Sequence, residues 1–267
     1  MKRITEGKRW KLKESKRGTL AVFVALRAAI IICMCRQLTL ANYHGVLLCI
    51  ASLLVMAIPA MLHSTLRIRL PTGLEIAIDV FVFAAEILGE IANFYGQFPF
   101  WDTMLHTINS FLAAAIGFGI IDLLNTHAKG IKMSPLFVAL VSFCFSMTVG
   151  VVWEFMEFGA DQLTRSDAQK DWMIEEISSV ALNPAGENDP ILVDGIASTV
   201  LYDAQGNELL VIEGGYLDIG LIDTMKDLLV NMAGAVVFSV LGYLYIAHRD
   251  KYRFAGHFRI VQDTGGQ

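Results

Sequence analysis

The chain has 267 residues, of which 55% are hydrophobic and only 18% charged, and its mean hydropathy is +0.53. A soluble globular surface does not carry so apolar a composition, so we expect an integral membrane protein. The formal net charge of -5 is unevenly distributed, because the first 18 residues hold eight Lys and Arg whereas positions 161–218 hold twelve Asp and Glu.

The apolar residues fall into six blocks, each long enough to cross a hydrocarbon core of about 30 Å as an α-helix. A β-barrel would instead show short segments of alternating polarity, so the pattern excludes that class. In chain order the predicted spans are Leu20–Gln37, Gly45–Leu62, Leu74–Phe94, Leu105–Leu124, Leu136–Phe155 and Leu228–Ala247. The predicted fold class is therefore an all-α polytopic membrane protein with six transmembrane helices.

The Lys and Arg residues between the spans predict which side of the membrane each connection faces. Basic residues concentrate in the N-terminal tail, in two alternate connections and after the last span: Arg67, Arg69, Lys129, Lys132, Arg249, Lys251, Arg253 and Arg259. Cytoplasmic connections are the ones enriched in Lys and Arg. We therefore expect a multi-pass protein of the inner (plasma) membrane with both termini in the cytoplasm.

The long acidic connection before the last span contains a strand pattern. Ile196–Tyr202 and Glu208–Ile212 are rich in β-forming residues and flank a turn-like segment at 203–207, which predicts a small extracytoplasmic β-hairpin cap. The predicted organisation is a basic cytoplasmic tail (1–19), transmembrane helices 1–5 (20–159), an acidic extracytoplasmic loop with the hairpin (160–222), transmembrane helix 6 (223–250) and a cytoplasmic tail (251–267).

Polar side chains cluster at the outer ends of the third to sixth predicted spans. An ionisable group at the centre of a membrane helix costs roughly 2.5–3.5 kcal/mol, so each needs a partner, water or a function. Within each helix the polar residues recur every three or four positions: Glu86, Glu90, Asp102, His106, Glu154, Glu157, Asp161, Asp223, Asp227 and Asn231. That spacing places them on one helix face, and lipid cannot solvate such a face. We therefore expect four polar faces around one pocket open to the outside.

The carboxylates of this pocket outnumber its cationic groups, which are Lys226 and a titratable His106. Such an excess requires protons, a cationic ligand or a metal ion. Carboxylates with one imidazole suit Mg²⁺, Mn²⁺ or Zn²⁺. The predicted metal ligands are Asp102, His106, Glu154 and Asp227, of which His106, Glu154 and Asp227 are also the catalytic candidates. Five further residues are predicted to surround these ligands: Glu86, Glu90, Glu157, Asp223 and Asn231.

Ordinary structural roles also explain several of these residues. Asp102 and Asp223 precede helices, where a carboxylate acts as an N-cap. Asp161 suits a solvated helix end, His106 a packed histidine and Glu86 a buried hydrogen bond. The sequence leaves these alternatives open.

Two ionisable residues lie away from the outer cluster. Arg27 is about 10 Å from the cytoplasmic side, at 1.5 Å per residue, and Asp79 lies at a similar depth in the third span. Because isolated charges at this depth are costly, we predict a structural Arg27–Asp79 ion pair.

Three segments carry a resemblance to a known family: Trp101–His106, Trp153–Phe158 and Asp223–Ala235. Together they resemble the YjdF-like family of bacterial membrane proteins, within the broader VanZ-like group. The shared pattern is D-x-x-x-H opening one helix, a Glu closing the next and D-x-x-x-N-x-x-G opening the last. It maps onto Asp102, His106, Glu154, Asp227, Asn231 and Gly234.

The resemblance covers roughly residues 20–250 and has departures. Thr103 stands where VanZ-like proteins usually have Lys, Glu157 stands where they usually have Gln, and short VanZ-like chains lack the long hairpin loop. The VanZ-like group is linked with glycopeptide-antibiotic tolerance at the cell envelope. The resemblance therefore implies a bacterial envelope location but names no reaction.

Three functions remain open at this point. A metal-dependent enzyme acting on an envelope or lipid-linked substrate would use His106 as a ligand or as a general base on water. A cation or proton-coupled transporter would use the same acids. Its path would also need polar groups in the cytoplasmic half of the spans, where Arg27 and Asp79 alone are predicted. An accessory protein would use the acidic loop to hold a partner. The predicted partners are the lipid bilayer and a lipid-linked or cationic ligand, with no nucleic acid.

Overall fold

The computed structural model describes residues 6–127, 132–249 and 251–262. Within this part the chain divides into two compact units, one formed by residues up to 150 and from 230 onward and the other by residues 151–229. Apolar helices build the first unit. The second contains short strands together with the end of one long helix and the start of another.

The described residues form a mostly helical protein. Its α-helices are Glu6–Thr39 (α1), Tyr43–Leu66 (α2), Thr72–Val82 (α3), Phe94–Gln97 (α4), Trp101–His127 (α5), Pro135–Thr164 (α6) and Leu221–Ala247 (α7). Five described segments are long and apolar enough to cross a membrane: Gly18–Thr39, Tyr43–Thr65, Trp101–Thr126, Pro135–Thr164 and Leu221–Ala247. The predicted class, a helical membrane protein with several apolar helices, is confirmed at that level.

The predicted third span, Leu74–Phe94, has a composite structure. α3 has 11 residues and passes without a break into a π-helix of 9 residues, Phe83–Ile91. A π-helix closes i→i+5 hydrogen bonds and is often found at functional sites. Neither part alone is long enough for a crossing, although together they cover positions 72–91, about the 20 residues that a span needs.

The helices α1, α2 and α3 share an apolar core in the first unit, and the predicted ion pair lies beside it. Arg27 Nη1 is 2.7 Å from Asp79 Oδ2, and the Asp79 side chain is 2% exposed, so the prediction is confirmed. Arg27 also donates to the backbone oxygens of Met56, at 2.8 Å, and Phe23, at 3.2 Å. The guanidinium group therefore ties α1 to both neighbouring helices.

A second core joins α5 and α7 to the segment that follows α7. This core is built around Phe118 and Phe238 and includes Ala255 of the 3-10 helix Phe254–Phe258. Beyond that helix, strand β8 (Val261–Gln262) pairs antiparallel with strand β1 (Ile68–Arg69). The segment 251–262, predicted as a tail, is thus packed against the helices.

A buried carboxylate anchors this returning segment. Asp122 on α5 is 1% exposed and accepts hydrogen bonds from Arg259 Nε at 2.7 Å and from Arg249 Nη2 at 3.2 Å. The hydrogen bond to Asp122 also raises the pKa of Arg259 above its usual value. Both arginines are outside the helices, so the contact holds the chain on either side of the 3-10 helix against α5.

The second unit contains three two-stranded antiparallel sheets. Their strands are Met173–Ile174 (β2) with Tyr216–Leu217 (β7), Ile177–Ser179 (β3) with Ile191–Val193 (β4), and Ser198–Tyr202 (β5) with Glu208–Glu213 (β6). The β5–β6 pair is the hairpin expected from the sequence. Its turn is held by Asp203, which accepts hydrogen bonds from Asn207 and Gln205, and these bonds hold the pKa of Asp203 below its usual value.

Carboxylates of the acidic segment organise its backbone as well as making it polar. Asp161 accepts from the amides of Ala168 and Gln169, at 2.6 and 2.9 Å. Asp218 accepts from the amides of Trp172 and Ile222, each at 2.7 Å. The Asp161 bonds fix the chain just after α6, and the Trp172–Asp218 bond joins two parts of the acidic segment that are 46 residues apart.

Candidate functional site

Helices α5, α6 and α7 meet at a contact built from small and polar residues in the first unit. Ser146 Oγ donates to the backbone oxygen of Ser110 at 2.7 Å, which joins α6 to α5. Asn231 Nδ2 lies 3.4 Å from both the Ser146 oxygen and the Met147 sulfur, which joins α7 to α6. We call Ser110, Ser146 and Asn231 the three-helix contact.

Three further contacts establish the directions of these helices. Near the start of α6, the Met133 amide donates to Asn125 Oδ1 of α5 at 2.8 Å, whereas Ser146 contacts Ser110. From Met133 to Ser146 the residue numbers rise, whereas those of their partners on α5 fall from 125 to 110. The helices α5 and α6 are therefore antiparallel. Gly234 lies against Ser110 and Gly242 against Phe118, so α7 runs parallel to α5.

Glycines allow the helices to approach closely at this level. A Cβ at Gly150 would lie 2.5 Å from Asn231 Nδ2. A Cβ at Gly234 would collide with the Ser110 hydroxyl and lie 2.8 Å from the Thr107 carbonyl oxygen. Small residues at membrane helix interfaces permit such packing. The structure therefore gives a physical reason for Gly234 in the shared motif.

Replacement of Gly234 by Ala should destabilise the protein by about 1–3 kcal/mol, because the new methyl group meets a backbone oxygen that cannot move alone. Thermal unfolding in detergent measures the effect. Gly159→Ala is the matched control, since a Cβ there meets nothing within 4 Å and Ala favours the helix. Equal unfolding temperatures for both variants would show that α5 and α7 are not in close contact at Gly234.

Asp102 and His106 lie together at the start of α5. His106 Nε2 is 3.6 Å from Asp102 Oδ1, and His106 is 6% exposed whereas Asp102 is partly exposed. The carboxylate can hold the imidazole ring in one orientation. His106 is thus buried beside a carboxylate, one helical turn before Ser110 of the three-helix contact.

Glu86 and Glu90 lie in the π-helix. Glu86 is partly buried and Glu90 is exposed. A turn closed by i→i+5 bonds holds more residues than an α-turn, so residues four apart align differently from those in an α-helix. The period-four alignment assumed for this pair from the sequence is therefore altered by the backbone.

The remaining predicted site residues on α6 and α7 belong to the second unit. Glu154 is 5% exposed and Asp227 is 3% exposed, although both are ionisable. Glu157 is partly buried and accepts a hydrogen bond from Trp153 Nε1 at 2.7 Å. A carboxylate that is buried to this degree needs a positive charge or hydrogen-bond donors to offset the cost of its desolvation.

Asp223 connects the start of α7 to the acidic segment. Its carboxylate accepts from the Lys170 amide at 2.9 Å and from Trp172 Nε1 at 3.3 Å. The Lys226 ammonium lies over the same Trp172 ring, 2.9 Å from its centroid. Through these contacts, Asp223 and Lys226 order the acidic segment. For Asp223 this is a structural role, of the same kind as the N-cap role that the sequence left open.

Asn231 is more central than the sequence suggested. It is 1% exposed and bridges two helices, and its Oδ1 atom has no hydrogen-bond partner among the described residues. Sequence reasoning also missed Ser110, Ser146 and Gly150. The signal was present in α6, where Ser142, Ser146 and Gly150 recur every four residues, the small-residue spacing typical of close membrane helix contacts.

Comparison with known proteins places the chain in a family. Residues 19–186, more than half of the chain, match the family described as "Predicted membrane protein (DUF2238)". The matched region contains Asp102, His106 and Glu154 and ends before Asp227.

A relative in Thermotoga maritima bears the name "Uncharacterized protein" and is 29% identical over 95 residues. The match covers 36% of this chain and 47% of the relative, so the chain spans about half of that protein's length. No solved structure matches the chain.

Proposed function

Because the chain belongs to DUF2238, a family of predicted membrane proteins, we propose that it is a polytopic protein of the bacterial inner membrane with an outward-facing cation site on α5, α6 and α7. The finer assignment to the YjdF-like family, within the VanZ-like group, is part of this proposal. It is supported by the D-x-x-x-H motif at Asp102 and His106 and by the D-x-x-x-N-x-x-G motif from Asp227 to Gly234.

The proposed topology has six crossings, the composite α3 and π-helix segment being the third. Its support is the length of that segment, positions 72–91, and the alternation of basic and non-basic connections. Both termini then face the cytoplasm, and the β5–β6 hairpin and the acidic segment lie outside.

Cysteine labelling in intact spheroplasts tests this topology. Ser198→Cys in β5 should react with a membrane-impermeant maleimide before lysis, because the hairpin is external. Ser134→Cys, in the connection between α5 and α6, is the matched control and should react only after lysis. The unsubstituted protein gives the background from its four native cysteines. The reverse labelling pattern would invert the topology and place the acidic residues in the cytoplasm.

The cation site is inferred from the three-helix contact, which is the observation that carries the proposal. His106 lies four residues before Ser110 on α5, and Asp227 lies four residues before Asn231 on α7. Glu154 lies eight residues after Ser146 on α6, which runs the opposite way. The proposal accordingly assigns all three residues to the same end of the helices.

Helix geometry and burial support convergence of these residues. Successive residues turn by about 100°, so side chains four apart differ by about 40° and those eight apart by about 80° in direction. His106, Glu154 and Asp227 are each buried, which an ionisable side chain in a membrane protein accepts only with a partner or water. The orphaned Oδ1 of Asn231 offers an additional oxygen one turn from Asp227.

The proposed chemistry is metal-assisted hydrolysis of an envelope or lipid-linked substrate. A bound Mg²⁺, Mn²⁺ or Zn²⁺ would act as a Lewis acid and lower the pKa of a bound water. Asp102, Glu154 and Asp227 supply hard oxygen ligands, and His106 serves as a ligand or as the base that accepts a proton from water. Asp102 Oδ1, 3.6 Å from His106 Nε2, orients the imidazole ring.

Elemental analysis and calorimetric titration of the purified protein test the proposal. We expect one or two divalent ions per chain and a loss of affinity of roughly 100-fold in Asp227→Asn, whose amide cannot supply the negative charge. Glu208→Gln, on exposed strand β6, is the matched control and should bind normally. Absence of stoichiometric metal together with proton-coupled cation flux in liposomes would favour a transporter, and absence of both would favour an accessory protein.

A further inference from the structure

A cavity of about 400 Å³ lies in the first unit among α1, α2, β1 and α3, away from the proposed cation site. Its wall includes Phe23, Met56, Pro59, His63, Glu75 and Asp79. This volume is within the range of small-molecule pockets, which are mostly apolar with a few placed polar groups. The cavity has that composition.

Charged groups occupy two levels of the cavity. The buried Asp79 carboxylate is neutralised by Arg27, at 2.7 Å. Nearer the surface, Arg69 Nε donates to His63 Nε2 at 2.9 Å, and both side chains are exposed. Met56 and Pro59 contribute apolar surface to the same wall.

Glu75 adds a second carboxylate to the cavity wall, where the neighbouring His63 acts on it electrostatically. Glu75 lies four residues before Asp79, on the same face of α3, and is partly buried. Its carboxylate makes no hydrogen bond or ion pair within the described ranges, whereas Asp79 is bonded to Arg27. A partly buried carboxylate of this kind is stabilised by a cationic group that donates hydrogen bonds.

The position of the cavity indicates where its ligand comes from. Arg27 lies nine residues into the apolar segment Gly18–Thr39, a depth of about 13 Å, whereas Arg69 is in the basic connection after α2. The cavity thus spans the boundary between hydrocarbon and headgroup depth. Ligands at this boundary are lipid headgroups with their first acyl carbons.

We propose that this cavity binds the headgroup of an aminophospholipid, with its primary ammonium at Glu75 and its phosphate at Arg69. The ammonium donates hydrogen bonds to the Glu75 carboxylate, which a quaternary ammonium cannot do. The apolar wall contacts the methylene groups. The site does not depend on the proposed metal chemistry, because none of its residues belongs to the proposed metal ligands.

Binding of short-chain lipids to the purified full-length protein in detergent tests the proposal. Dihexanoyl phosphatidylethanolamine should bind saturably and raise the unfolding temperature, whereas the phosphatidylcholine and phosphatidylglycerol analogues should bind at least tenfold more weakly. Glu75→Gln should weaken binding of the ethanolamine lipid roughly tenfold or more, because a charged hydrogen-bonded pair is lost. Glu208→Gln on β6 is the matched control and should bind normally.

A second variant separates binding from folding. Ala60→Phe fills the cavity from its α2 wall, and it should abolish binding while the unfolding temperature without lipid stays near that of the unsubstituted protein. Equal affinity for all three lipids, or unchanged affinity in Glu75→Gln, would overturn the proposal. Free phosphoethanolamine binding as tightly as the lipid would also overturn it, in favour of a soluble ligand of the same chemistry.

Discussion

Removal of both Arg249 and Arg259 is expected to destabilise the protein by about 3–5 kcal/mol, because it leaves the carboxylate of Asp122 buried without its cations. Asp122 is 1% exposed, whereas the arginine side chains are 48% and 36% exposed. The carboxylate therefore cannot regain water when its partners are lost. Thermal unfolding in detergent measures the loss, and proteolysis within 251–262 should become faster.

The same asymmetry predicts a rescue. Asp122→Asn removes the buried charge, so adding it to the double arginine variant should recover part of the stability. Arg253→Ala is the matched control, since this exposed residue in the same segment makes no ion pair within the described residues. If Asp122→Asn gives no recovery in the double variant, Asp122 is not held as a buried anion.

Arg27→Ala is expected to cost about 3–5 kcal/mol, and more than Asp79→Ala, although the two residues form one ion pair. Loss of Arg27 leaves the Asp79 side chain, 2% exposed, without its cation. Loss of Asp79 leaves an arginine that is 35% exposed and still donates to the Met56 and Phe23 oxygens. The thermal unfolding of each single variant in detergent compares these effects.

Exchange of the two charges tests whether the residues interact directly. Arg27→Asp combined with Asp79→Arg should be more stable than the sum of the single changes predicts, although less stable than the natural pair, because the backbone hydrogen bonds of Arg27 are not reproduced. We also expect metal binding at the proposed outer site to be unaffected in folded variants. Strict additivity of the two changes would contradict a direct pair.

The ion pair between Arg27 and Asp79 was predictable because lipid penalises each isolated charge, and depth along a helix follows from residue number. The β5–β6 hairpin was predictable for a local reason, since a turn-forming segment separates two β-rich runs. In both cases one physical effect decides the structure of a few residues: the cost of an isolated charge in lipid for the ion pair, and the local turn sequence for the hairpin.

Other features depend on contacts that sequence spacing does not reveal. The π-helix at Phe83–Ile91 has the same apolar composition as an α-helix, so its i→i+5 bonding leaves no signature in the hydrophobic pattern. Asp122 lies within a predicted apolar span, and its partners follow it by more than a hundred residues. The three-helix contact depends on uncharged serine and asparagine side chains, so the cost of burying ionisable groups in lipid does not point to it. Whether Asp102, His106, Glu154 and Asp227 converge stays a prediction.

The pairing of β1 with β8 imposes an order on biosynthesis. Ile68 and Arg69 leave the ribosome about 190 residues before Val261 and Gln262, their partners in the sheet. At 5–20 residues per second, this interval is roughly 10–40 s. During that time the carboxylate of Asp122 also lacks Arg249 and Arg259. The part of the helical unit around Asp122 and β1 is therefore completed last, so a chain that stops before residue 249 lacks the groups that neutralise Asp122 even when α7 has been made.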